Sequence, residues 1–266
     1  MTKKEYANRI AALVNGEVKE VEKANGVILT GIVIDTGTNV RPCIYIDAMY
    51  EEQYTPEEAA EKVAEIAKEN ARPALSLDFM SSFEAAKPLL RARLYNKATT
   101  AEVKRSAAGY GFDDLVIIPY LENVTVNGSI KVTEAILKMW DVTADEVIDA
   151  AEENSKNDAT MENMAEVLAQ MASATGIPAP NMGDVPPLYV ISNNSRMFGA
   201  YGIIAQLEAL KQRFKAGFTV LPSSVHEVIV VDADDPATFD DMVSSVNAAE
   251  VDPEQQLSNH SYRIAA

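Results

Sequence analysis

Residues 188–232 read LYVISNNSRMFGAYGIIAQLEALKQRFKAGFTVLPSSVHEVIVVD, and the order of patterns within them decides the fold class. A β-branched run, Leu188–Ser192, leads into a polar stretch that closes on Gly199 and Gly202. From Tyr201 onward Ile203, Ile204, Leu207, Leu210 and Phe214 recur at helical spacing, and Gly217 supplies a stop. Two more strands follow, Phe218–Leu221 and Val225–Asp232, separated by a Pro-Ser-Ser turn. Helix starts at Asp235-Pro236 and Asp252-Pro253 complete a β-α-β-β-α lobe over 188–266.

Upstream, caps mark the helices. Thr55-Pro56-Glu57-Glu58 puts a hydroxyl at the N-cap, proline at the first helical position and glutamate at the third. These groups satisfy, or lack, the amide donors that a first turn leaves free. Ala60, Val63, Ile66 and Ala67 then form one apolar stripe. Thr99 with Glu102 and Thr143 with Glu146 repeat the capping spacing, and the region from Leu137 to Met171 reads as helical. Strands are expected at Val18–Lys23 and Val27–Asp35, joined by an Asn25-Gly26 turn, at Pro42–Asp47 and at Leu115–Leu121. Pro119 demotes the last of these towards a sheet edge. The stretch SATGIPAPNMGDVPP (173–187), with four prolines and two glycines, reads as a linker. The expectation is an α+β (mixed α/β) chain. It has an N-terminal helix–three-strand–helix lobe over 1–136, a helical connector and Pro/Gly-rich linker over 137–187, and the C-terminal lobe over 188–266.

Charge excludes whole classes of partner. The 266 residues hold 40 Asp+Glu against 23 Lys+Arg, a net charge of −17. A phosphate-backbone binder needs a basic face, and anionic lipid repels an acidic one, so neither nucleic acid nor a membrane is an expected partner. The acidity is uneven: residues 1–139 carry 17 basic and 20 acidic groups, residues 140–266 only 6 basic and 20 acidic. One cysteine, Cys43, and two histidines leave no disulfide and no Cys/His metal centre, so no metal and no cofactor is expected. A polar amino terminus and the absence of a long apolar run fit a cytoplasmic location.

Two loops of the C-terminal lobe gather the residue types that bind or react. If the strands Leu188–Ser192 and Phe218–Leu221 are parallel, both loops leave the same sheet edge, beyond the carboxyl ends where open α/β sheets hold ligands. Asn194, Ser195 and Arg196 are the candidate binding residues, with a guanidinium and a helix start suited to an anion. The spacing of Gly199 and Gly202 matches no nucleotide fingerprint. Ser223, Ser224 and His226 are the candidate catalytic residues, a hydroxyl nucleophile and its base. Glu227, next to His226, would point to the opposite strand face and orient nothing. The plainer alternatives are a tight strand-to-helix turn with a surface arginine, and a serine turn pinned by the histidine. Asp232, Asp234 and Asp235 suit an oxygen-ligated cation, or more simply a strand end and a helix cap.

Several segments together resemble an uncharacterised bacterial family, a domain of unknown function widespread in gut Firmicutes. They are GVILTGI (26–32), PCIYIDAMYEEQY (42–54), DDLV (113–116), LKMWDVTADEVIDAA (137–151), LYVISNNSRMFGAYG (188–202), LPSSVHEVI (221–229) and VNAAEVDPEQQLS (246–258). The resemblance spans nearly the whole chain. It implies no activity and no catalytic residues, and implies a role outside core metabolism.

Three functions are compatible with these readings. The first is a non-enzymatic module that binds or regulates another protein or a small anion. The second is a hydrolase or transferase using His226 with Ser223 or Ser224. The third is an acidic inhibitor that imitates nucleic acid on a basic protein.

Overall fold

The computed structural model describes residues 1–71, 74–123, 128–176, 178, 187–232 and 237–266. The helix start at Asp235-Pro236, Asp234 of the acidic cluster and most of the proline-rich stretch lie outside the described residues. The fold is α+β, and the chain forms two compact units, Met1–Phe79 and Met80–Ala266. Among the described residues no helix is long and apolar enough to cross a membrane.

In the first unit helix α1 (Lys3–Val14) precedes strands β1 (Glu17–Glu22), β2 (Ile28–Val33) and β3 (Cys43–Tyr45). Helices α2 (Asp47–Glu51) and α3 (Pro56–Glu69) follow. The expected hairpin turn forms, with Asn25 and Gly26 both at positive φ (61° and 73°). The antiparallel register sets Val18, Ile32 and Ile44 in one row. That row packs with Tyr6, Ile10 and Val63 of α1 and α3 into a core. Each large aliphatic side chain buried there contributes roughly 1.5–3 kcal/mol. The alternate row, Lys19, Gly31 and Tyr45, lies on the other sheet face. There the Cys43 sulfur sits directly over Gly31 and leaves no room for a side chain. Partial burial pushes the Cys43 thiol pKa up, against the opposing pull of Lys19 and Lys23.

The second unit opens with α4 (Phe83–Ala86) and holds two antiparallel sheets. The first contains β4 (Leu90–Asn96), β5 (Arg105–Ser106), β6 (Leu115–Asn123) and β7 (Gly128–Lys131). These strands lie within the span expected of the N-terminal lobe, and here they belong to the unit that begins at Met80. Contrary to the edge position expected from Pro119, β6 is central, flanked by β4 on one side and by β5 and β7 on the other. Pairing with β5 involves Val116 and Ile117, and pairing with β7 begins at Tyr120. Pro119 thus falls at the seam between the two partners, where no ladder bond needs its missing N–H, while its carbonyl accepts from Val132 at 3.1 Å.

Next come α5 (Glu134–Trp140) and α6 (Ala144–Lys156), the latter opened by the Thr143–Glu146 capping box. The region read as helical to Met171 is interrupted by β8 (Ala159–Asn163), an edge strand paired with β9 (Leu188–Asn193), before α7 (Met164–Thr175). Thr99–Glu102 starts no helix. Thr99, Ala101 and Val103 are buried in alternation along a run of turns and bends, and the Glu102 carboxylate instead accepts the Glu134 N–H at the start of α5. The helix expected from Tyr201 is divided into a 3₁₀ turn (Gly199–Tyr201), α8 (Gly202–Ala205) and α9 (Leu207–Arg213). Its apolar stripe is buried as expected. Strands β10 (Phe218–Leu221) and β11 (Val228–Val231), helix α10 (Ala237–Glu250) and β12 (Tyr262–Ile264) complete the second sheet, ordered β12-β10-β11-β9-β8.

Candidate functional site

β9 and β10 each pair antiparallel with β11, which lies between them, so they run parallel to one another. Loops 194–198 and 222–227 therefore leave the same sheet edge, and hydrogen bonds join them. The His226 carbonyl accepts from the Ser192 hydroxyl at 2.8 Å and from the Gly199 N–H at 3.0 Å. The Val225 carbonyl accepts from the Ala200 N–H at 3.2 Å. A Cβ on Gly199 would stand 2.9 Å from the His226 carbonyl oxygen, and one on Gly202 would stand 2.6 Å from that of Ser192. These glycines let the chain press against β9 and the neighbouring loop.

The loop itself is bent at non-glycine residues. Arg196 and Phe198 both have φ of 53°, a left-handed conformation costing about 1–2 kcal/mol each. Side chains hold it in place. Asn193 accepts from the Met197 N–H at 3.2 Å and from the Ser195 hydroxyl at 3.0 Å, while its amide donates to the Met197 carbonyl at 3.0 Å. Nδ1 of His226 accepts from the Phe198 N–H at 3.1 Å, which in the neutral ring places the proton on Nε2. The Phe198 ring packs against His226, with centroids 5.1 Å apart. It also packs on the buried guanidinium of Arg93, 3.8 Å from the ring centroid. Arg93 contacts the Tyr120 ring at 4.2 Å and donates to Glu122 at 3.1 Å. A desolvated cation–π contact is worth about 2 kcal/mol, enough to offset the strain at Phe198.

The candidate binding groups are engaged within the chain. Arg196 donates to both carboxylate oxygens of Glu162 on β8, at 2.8 and 3.1 Å. Asn194 donates to the Asp158 carboxylate at 2.6 Å. The 3₁₀ turn and four-residue α8 that follow offer no long helix dipole to a ligand.

The candidate catalytic groups form no nucleophile–base pair. Ser223 and Ser224 donate to the same Glu227 oxygen at 3.0 and 3.1 Å, and the Ser224 oxygen accepts from the His226 backbone N–H at 3.1 Å. Glu227 lies on the same side as the serines, because it belongs to the turn before β11 and not to a strand. The cavity beside Phe198, lined by Ser155, Asp158 and Ser192, holds about 10 Å³, the space of a single water. Among the described residues no group of three or more His, Cys, Asp or Glu side chains is placed to hold a metal.

A family model described as a family of unknown function (DUF5688) matches residues 2–264. The chain belongs to that family. No curated protein and no solved structure matches it. The DUF5688 match covers both units and both loops.

In this DUF5688 protein the loop is also braced from α6. The Tyr201 hydroxyl donates to the Glu152 carboxylate at 3.2 Å, and burial pushes the Tyr201 pKa up. Glu152 in turn receives Arg105 at 2.7 Å, and Arg105 also pairs with Asp149 and Asp145 at 2.8 and 2.9 Å. Sequence reading missed Asn193, Phe198, Arg93 and Glu162. Asn193 and Phe198 stood inside the segment singled out for resemblance. The alternation of Arg91, Arg93 and Tyr95 in LRARLYN carried a strand signal.

Proposed function

We propose that this DUF5688 protein is a non-enzymatic binding module of the bacterial cytoplasm that recognises another protein through the face bearing loops 194–198 and 222–227. The observation that carries this reading is Met197. Its side chain is 52% exposed, while the residues on either side are fixed in left-handed conformations by Asn193, His226 and Arg93. An apolar tip on a loop that is already ordered binds a partner without paying the entropy of ordering. The half-exposed Arg196–Glu162 pair beside it suits the polar rim of such a contact. The engagement of Ser223, Ser224, His226 and Arg196 within the chain favours this reading over hydrolysis or anion capture.

The test is affinity capture from the native cytoplasm with wild type, Met197→Asp and Ser223→Ala. A partner retained by wild type and Ser223→Ala and lost with Met197→Asp supports the proposal. A partner set unchanged by Met197→Asp overturns it. So does calorimetric binding of inorganic phosphate that Arg196→Ala abolishes, since that places an anion site at the loop.

A further inference from the structure

The first unit carries an open apolar groove of about 600 Å³ between α1 and α3, and the loops discussed above belong to the second unit. Leu13, 52% exposed, stands on one side of the groove. On the other side α3 contributes Ala60, Ala64 and Ala67, of which Ala60 and Ala67 are buried in the core and Ala64 is exposed, where its small side chain lets another helix approach closely. Two charged residues of α3 flank Ala64: Glu61, three residues before it, and Lys68, four after it. Neither makes an ion pair among the described residues. The remaining carboxylate of the lining, Glu57, is neutralised by Arg9 at 2.7 Å. The groove is therefore balanced in charge within a chain of net −17, and its opposite charges lie nearly symmetrically about Ala64.

We infer that this groove is the interface between two copies of the chain, with the two α3 helices packed antiparallel across a two-fold axis near Ala64. That operation sets each Glu61 beside the partner's Lys68 and seats each Leu13 at the rim of the facing groove, so one patch complements itself. A parallel arrangement would oppose Glu61 to Glu61. The inference lies on the first unit and is independent of the loop in the second.

Sedimentation equilibrium of the full-length protein tests it. Wild type is expected to associate reversibly to twice its 28.9 kDa mass. Ala64→Arg is expected to remain at 28.9 kDa at every concentration, with an unchanged circular dichroism spectrum because Ala64 is exposed. Glu61→Lys and Lys68→Glu should each weaken association by about tenfold, and the double variant should restore it. A wild type that stays monomeric overturns the inference, as does a dimer indifferent to Ala64→Arg. Failure of the double variant to recover association also overturns it, because recovery is specific to an antiparallel self-pairing.

Discussion

His226 binds four neighbours with three different atoms: Nδ1 takes the Phe198 N–H, its carbonyl takes Ser192 and Gly199, and its own N–H goes to Ser224. Replacing the ring leaves the Phe198 N–H half-buried without a partner and removes a ring contact, while the backbone bonds persist. His226→Ala should therefore lower stability by about 2 kcal/mol. Ser223→Ala, which removes one hydroxyl from a carboxylate that keeps Ser224, should change it by about 0.5 kcal/mol or less. Urea unfolding of both variants checks this, and equal losses would contradict the pinning role. The pairing of types in LPSSVHEVI was visible in the sequence, but its wiring was not. Whether a histidine nitrogen faces a serine two residues away or an amide 28 residues earlier depends on which strands are neighbours. The same limit hid the Arg196–Glu162 pair, which exists only because β8 lies beside β9.

At the scale of elements, α10 is tied to the segment before β12 by the Asn247 amide, which donates to Ser258 and Asn259, and by one carboxylate. Asp240 accepts the backbone N–H and the hydroxyl of Ser261, each at 2.8 Å. The backbone bond is the largest cause of its lowered pKa, with the hydroxyl and the nearby His260 acting in the same direction. A carboxylate with a depressed folded pKa adds stability that is present above its unfolded value, here 3.8, and lost as pH falls through the folded value. The stability difference between wild type and Asp240→Asn should be fully present above 3.8 and shrink as the pH falls below it. Denaturant midpoints measured across that range check the slope, and a gap that widens in acid would refute it. Elements with chemical punctuation were legible in advance: the capped starts of α3 and α6, the Asn25-Gly26 hairpin and the stripe from Ile203 to Phe214 all form. Elements defined by pairing alone were not. β8 is five residues inside a helical composition, and only its ladder to β9 makes it a strand. Pro119 carried a valid rule, and the gap between β5 and β7 satisfied it without moving β6 to an edge.

For the whole molecule, −17 is a source of self-repulsion, and most of it resides after residue 139. Added monovalent salt should raise the melting temperature steadily between about 10 and about 200 mM, as the screening length contracts from roughly 30 Å to below 10 Å. A melting temperature that falls with salt would mean that local ion pairs such as those of Arg105 outweigh the overall repulsion. The single thiol has a different use. Cys43 is only half-buried, with its sulfur over Gly31 and its thiol pKa raised, so an alkylating reagent can reach it but meets little of the reactive thiolate near neutral pH. The rate at which the intact chain gains one adduct should then climb with pH as the thiolate forms, and no label or engineered cysteine need be introduced to read it.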